Sequence, residues 1–213
     1  MKRLRENDLA MKYGILACIH ANLPALQAVL RDAEGSGCTN LACCGDLVGY
    51  GDQPKECVDI IRQLRMPCVK GNHDEYCSND MSLEDFRPIA ASNIQWTRDQ
   101  LSDEDKAWLR SLPMTEQVAS FTITHGSLNE PDRWEYIFDT LAARRSLDCQ
   151  KMDVCFFGHT HVPVAFVRDT VVRGGTFAKF QVESDKKYFV NVGSVGQPRD
   201  GNPKAAYVVY DLA

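Results

Sequence analysis

One pattern recurs along this chain and limits its fold more than anything else in the sequence. A short apolar run is followed at once by a polar loop, and that loop carries a histidine or an acid. Residues 13–19 run into Cys18-Ile19-His20-Ala21-Asn22, and residues 40–44 into Gly45-Asp46. Residues 67–69 stop at Gly71-Asn72-His73-Asp74, residues 121–124 at His125-Gly126-Ser127, and residues 154–157 at Gly158-His159-Thr160-His161. Apolar runs of this length bounded by turn residues read as buried strands. The chain has five histidines, His20, His73, His125, His159 and His161, and all five fall in these loops. A buried histidine is often a core residue with one satisfied hydrogen bond. Five of five at strand ends point instead to a shared site, because imidazole is the commonest metal ligand.

The segments between the runs have helical character. Residues 23–34 carry Leu23, Leu26, Val29 and Leu30 on one face with Pro24 in the first turn, and they stop at Gly35-Ser36-Gly37. Residues 54–64 place Val58, Ile61 and Leu64 together. The first third therefore reads β-α-β-α-β, an order in which ligands sit outside the carboxyl ends of the strands. Residues 89–101 and 103–112 are further expected helices, the second opened by Ser102 with Asp105 three residues on. Residues 140–147 form a short helix in this reading. Residues 164–167, 188–192 and 205–210 are expected strands.

The 213 residues suit one domain. Residues 1–10 are polar and charged, without the apolar centre of a secretory leader. Met11-Lys12-Tyr13 resembles a second start. We expect an appendage over 1–10 and a single domain over 11–213. No apolar run approaches the roughly 20 residues that span a bilayer, so no membrane partner is expected. The net charge of -5 argues against nucleic acid. The nine cysteines are odd in number, scattered and without a C-x-x-C pair, as expected of reduced thiols in a cytoplasm.

The loop strings carry a resemblance. Ile19-His20-Ala21-Asn22-Leu23-Pro24-Ala25-Leu26, Gly45-Asp46-Leu47-Val48-Gly49-Tyr50-Gly51, Gly71-Asn72-His73-Asp74, Thr124-His125-Gly126-Ser127 and Gly158-His159-Thr160-His161 resemble, in order, the motifs of the calcineurin-like metallophosphoesterases. The tail from Asn191 to Gly201 resembles the small bacterial and archaeal branch, grouped with diadenosine tetraphosphatase-like and serine/threonine-phosphatase-like proteins. The resemblance implies an α/β fold, a four-layer αββα sandwich of two mixed sheets. It implies two divalent ions, the first on His20, Asp46 and His161, the second on Asp46, Asn72, His125 and His159. It implies hydrolysis of a phosphate mono- or diester by a metal-bound hydroxide. His73 would contact phosphate and protonate the leaving oxygen, with Asp74 to orient it. Arg199 is a candidate phosphate contact, since guanidinium pairs two oxygens at once, or else a solvated loop residue. Tyr50 and Trp134 line the pocket or pack. The substrate would be a small phosphate ester, a nucleotide or a phosphoprotein, and the oligomeric state stays open.

One position departs from the pattern. Where the family places an aspartate ligand, this chain has Cys18. The residue ligates as a thiolate, or leaves the first metal weakened, or is a spectator or oxidised thiol. Imidazoles beside hard oxygens suit Mn, Fe, Zn or Ni, and a ligating thiolate would favour Zn or Fe. The competing function is a non-catalytic binding or scaffold module with an eroded metal site. A nuclease is a weaker third reading, given the acidic charge.

Overall fold

The computed structural model describes residues 11–84 and 86–212; the expected appendage over 1–10 lies outside them. Among the described residues, nine strands and six α-helices follow one another in the order β1 (Lys12–Leu16), α1 (Leu23–Gly35), β2 (Asn40–Cys43), α2 (Pro54–Leu64), α3 (Asn72–Ser78), α4 (Pro88–Gln100), α5 (Asp103–Ser111), β3 (Thr115–Val118), β4 (Phe121–Thr124), α6 (Thr140–Cys149), β5 (Val154–Phe157), β6 (Val164–Arg168), β7 (Val172–Gly175), β8 (Lys187–Asn191) and β9 (Val208–Asp211). A 3-10 turn, Pro131–Arg133, precedes α6.

The strands form two mixed sheets. In the smaller, β1 lies between parallel β2 and antiparallel β9. In the larger the order is β3-β4-β5-β8-β6-β7, with β4, β5 and β8 parallel at its centre. Alternation along the strands builds the layers, because neighbouring side chains point to opposite faces. Ile15 and Ala17 meet Phe121, Ile123, Phe156 and Val190 between the sheets. Leu16 and Cys43 face the other way, onto Leu26 and Val29 of α1 and Val58 and Ile61 of α2. On the far side, Cys155, Phe157 and Phe189 pack on Ala143 and Leu147 of α6. The result is the expected αββα sandwich.

Local chemistry starts the helices. Asn22 Oδ1 accepts from Ala25 N at 3.1 Å to cap α1. Ser102 and Asp105 make the expected reciprocal capping box on α5, Ser102 Oγ accepting from Asp105 N and Asp105 Oδ2 from Ser102 N.

Several details differ from the sequence reading. Residues 67–69 make a single bridge, Cys43 to Cys68, rather than a strand. The Gly71-Asn72-His73-Asp74 loop is the opening of α3, a seven-residue helix too short to show apolar periodicity. Strands β3 and β7 were not expected. Both lie at sheet edges, and their sequences, Thr-Glu-Gln-Val and Val-Arg-Gly-Gly, lack the apolar character of the central strands.

Candidate metal centre

The six loops that follow β1, β2, residue 69, β4, β5 and β8 meet at one edge and are tied by backbone hydrogen bonds. Cys18 N donates to Gly45 O, His20 N to Asp46 O and Gly158 N to His125 O. Val195 N and Gly196 N donate to Ala17 O and Cys18 O. The backbone there is strained: Cys18, His20, Asp46, Tyr50, His159 and His161 all have φ between +49° and +65°. Left-handed conformations of such residues persist where their surroundings impose them, and they concentrate at functional sites.

Two groups of side chains share one carboxylate. Cys18, His20, Asp46 and His161 form one, and Asp46, His125 and His159 the other, each with its ligand-type atoms within 4.8 Å of one another. Asp46 Oδ2 lies 3.4 Å from His20 Nε2 and 3.3 Å from His125 Nε2. Asn72 Oδ1 joins the second group, 3.2 Å from His125 Nε2. All of these histidines and Asp46 are buried.

The protonation of the four rings is fixed from outside. His20 Nδ1 faces Val48 O at 3.1 Å, His125 Nδ1 faces Cys44 O at 2.7 Å, His161 Nδ1 faces Gln197 O at 2.6 Å and His159 Nε2 faces Trp134 O at 2.8 Å. A carbonyl has no proton to give, so each outer nitrogen carries the N–H and each inner nitrogen presents a lone pair. The inner nitrogens converge: His20 Nε2 to His161 Nε2 is 3.0 Å, and His125 Nε2 to His159 Nδ1 is 3.1 Å. Lone pairs facing lone pairs and carboxylate oxygen repel unless a cation lies among them. Second nitrogens donating to carbonyls are also what orients metal-bound histidine.

Burial disfavours a proton on three of these rings. It lowers His20, with neighbouring histidines adding to the effect. It lowers His159 to about 3, helped by His125, and His161 to about 4, helped by Arg199. Only His125 is raised, since Asp46 outweighs its burial. A proton on His125 would relieve one of the close contacts, whereas divalent ions would relieve them all. The residues present therefore fit a divalent metal, with Asp46 common to both groups.

His73 sits beside these groups without joining them. Its ring is 4.8 Å from that of His20 and 4.5 Å from that of Tyr50. Its backbone N–H donates to Asp46 Oδ1 at 2.9 Å, and its buried Nδ1 has no hydrogen-bond partner. Gly49, at φ +85°, makes room for this ring, because a Cβ there would lie 2.3 Å from Nδ1.

Asp74, expected to orient His73, is engaged elsewhere. Its Oδ2 accepts from Asp46 N at 2.8 Å and Gly71 N at 2.9 Å. Its Oδ1 accepts from Leu47 N at 2.8 Å and Val48 N at 3.3 Å. It clamps the Asp46 loop to the start of α3. Burial and the Asp46 charge push its carboxyl up to about 7, against the backbone donors that favour the ionised form.

The rim holds the remaining candidates. Arg199 lies 5.9 Å from the Tyr50 ring centroid, and its Nη2 donates to Gln197 Oε1 at 2.7 Å. Its charge also acts on Tyr136, whose ring stacks on His159 at 4.0 Å. Tyr50 is clamped by Asn93, which accepts from its N–H and donates to its C=O. Trp134 sets its ring edge toward His125 and gives its carbonyl to His159. Tyr136 was missed in the sequence, where nothing marks a tyrosine eleven residues past His125.

This fold and this arrangement define a metallophosphoesterase class. The calcineurin-like phosphoesterase superfamily domain matches residues 11–213, and the chain belongs to that family. An uncharacterised protein of Methanocaldococcus jannaschii is 37% identical over 205 residues, covering 93% of this chain and 82% of its own. The crystal structure of a metallophosphoesterase from Sphaerobacter thermophilus superposes with a TM-score of 0.83 at 38% identity, covering 95% of this chain and 84% of that one. The phosphodiesterase YfcE of Escherichia coli is 26% identical, covering 94% of this chain and 88% of its own. No helix among the described residues is long and apolar enough to cross a membrane.

Proposed function

We propose that this protein hydrolyses a small phosphate mono- or diester, a nucleotide among the candidates, with two divalent ions drawn from Mn, Fe, Zn and Ni. His20, Asp46 and His161 would hold the first ion, with Cys18 beside them, and Asp46, Asn72, His125 and His159 would hold the second. The observation that carries the reading is the gathering of four imidazoles in two groups that share Asp46, each ring held from outside by a carbonyl. Such a pair of ions supplies Lewis acidity and lowers the pKa of water toward neutrality.

The chain's own groups do the rest. His73 is the general acid: its ring lies at the edge of the cluster, and its unpartnered Nδ1 leaves a ring nitrogen uncommitted to protein. Asn72 offers its amide N–H to a phosphoryl oxygen while its Oδ1 faces the second ion. Arg199, steadied by Gln197, pairs with the remaining oxygens at the mouth. Asp74 holds Asp46 and Asn72 in register. A cytoplasmic setting is the reading that nine unpaired thiols support.

The test is a panel of aryl phosphate monoesters, diesters and nucleotides, assayed after chelation and after re-addition of each metal. Turnover should vanish on chelation and return with the metal. A non-catalytic module predicts bound metal without turnover, and hydrolysis of no ester by protein holding two ions would overturn the proposal.

A further inference from the structure

The two halves of the centre differ in one donor. Around the second position every donor is nitrogen or oxygen, whereas the first includes the sulfur of Cys18. The thiol is fully buried, and its residue is held at φ +53°. Gly158 allows β5 to end against it: a Cβ at Gly158 would lie 2.6 Å from Ala17 Cβ and 3.1 Å from Cys18 Sγ.

The hydrogen bonding of this sulfur also sets it apart. Two other buried thiols act as donors, Cys68 Sγ toward Val69 O and Cys155 Sγ toward Phe156 O. Cys18 Sγ accepts, from the backbone N–H of His159 at 3.2 Å. Its nearest ligand-type neighbours are His20, Asp46 and His161, a grouping of sulfur, nitrogen and oxygen suited to a tetrahedral soft-ion site.

We propose that Cys18 binds the first ion as a thiolate, so that the centre is two chemically unlike sites sharing Asp46. This deepens the two-ion reading and rests on it. The sulfur-bearing site selects Zn and its soft relatives, and the nitrogen-oxygen site accepts Mn or Fe. On binding, the S–H bond breaks, its electron pair becomes the S–metal bond and the proton leaves to solvent. Cysteine here is a change of metal preference rather than a loss of the site.

The experiment uses the full chain, stripped by chelator and reloaded. Co²⁺ is added stepwise to the native protein, Cys18→Ser and Cys18→Asp, with circular dichroism to check folding. The native protein should take two equivalents, one of which brings a near-ultraviolet thiolate-to-cobalt charge-transfer band. Both variants should lack the band. In a second arm, protein loaded with Zn is challenged with a large excess of Mn. The native protein should keep one Zn per chain. Cys18→Asp should bind that Zn at least about 10-fold more weakly, the smaller end of what losing even an outer-shell partner costs. Should Cys18→Ser not fold, Cys18→Asp and the native band carry the comparison. Two bound ions with no native band, a band that survives in the variants, or equal Zn retention would overturn this proposal and leave the two-ion reading standing. Failure of the native protein to bind two ions would overturn that reading, and this proposal with it.

Discussion

Asp74→Asn is the most informative substitution outside the ligand set. The carboxylate is fully buried and accepts four backbone N–H groups, two on each oxygen. An asparagine keeps the shape but has one oxygen. Whichever way the amide is turned, two N–H groups face its NH2 instead of an acceptor. The better orientation gives up Leu47 N and Val48 N, the second of which is already long at 3.3 Å. A buried donor left unpaired costs roughly 1–3 kcal/mol, so the loss should be about 3 kcal/mol, a large part of the roughly 5–15 kcal/mol that typically holds a domain folded. For a chain of this size that corresponds to a fall in Tm of about 6–12 °C. Thermal unfolding of the metal-free protein reads it, and metal analysis of the same variant should show weaker binding, since the released groups, Leu47 N and Val48 N, belong to the loop that carries Asp46. A shift under about 2 °C, equivalent to less than ~1 kcal/mol, would refute the clamp. It would mean that these N–H groups find water or that the carboxyl is not the acceptor drawn here.

Other outcomes follow from the same geometry. His73→Ala should lower kcat by a factor on the order of 10² to 10⁴ with metal content unchanged; lost metal would make His73 a ligand instead. Arg199→Ala removes the guanidinium beside the Tyr50 ring at the mouth, and should raise KM while largely sparing kcat; an unchanged KM would separate Arg199 from the substrate. Asp105 lies in the α5 capping box, and its bonds to Ser102 and Arg62 hold its carboxyl below the usual 3.8 despite burial. A depressed folded-state pKa stabilises above the unfolded value and is lost as pH falls through the folded one. Asp105→Ala should therefore cost about 1 kcal/mol at pH 7 and less below pH 3.8, as urea unfolding at the two pH values would show.

Most of the candidate centre was legible because the residues it gathers follow strands whose ends share an edge. His20, Asp46, Asn72, His125, His159 and His161 each sit within a few residues of an apolar run, while the αββα layering was expected from the family resemblance of the loop strings. What sequence could not supply depends on chain reversal in three dimensions. Tyr136 reaches His159 because the segment after His125 folds back over the centre, and no periodicity encodes that return. Asp74 follows His73 directly and so invites pairing with it, yet the first turn of α3 directs its carboxylate at the Asp46 loop. The carbonyls that fix the four rings belong to Val48, Cys44, Trp134 and Gln197, and backbone atoms leave no mark in a sequence. Cys18 was visible as a departure from the pattern, but the direction of its hydrogen bond required coordinates.

The central claim is that Asp46 bridges two ions, and anomalous diffraction from crystals soaked in a divalent metal tests it most directly. The account predicts two peaks about 3.5–4 Å apart on either side of Asp46, one among His20 and His161 and the other among Asn72, His125 and His159. A single peak that ignores Asp46, or no ordered ion at saturating metal, would contradict it.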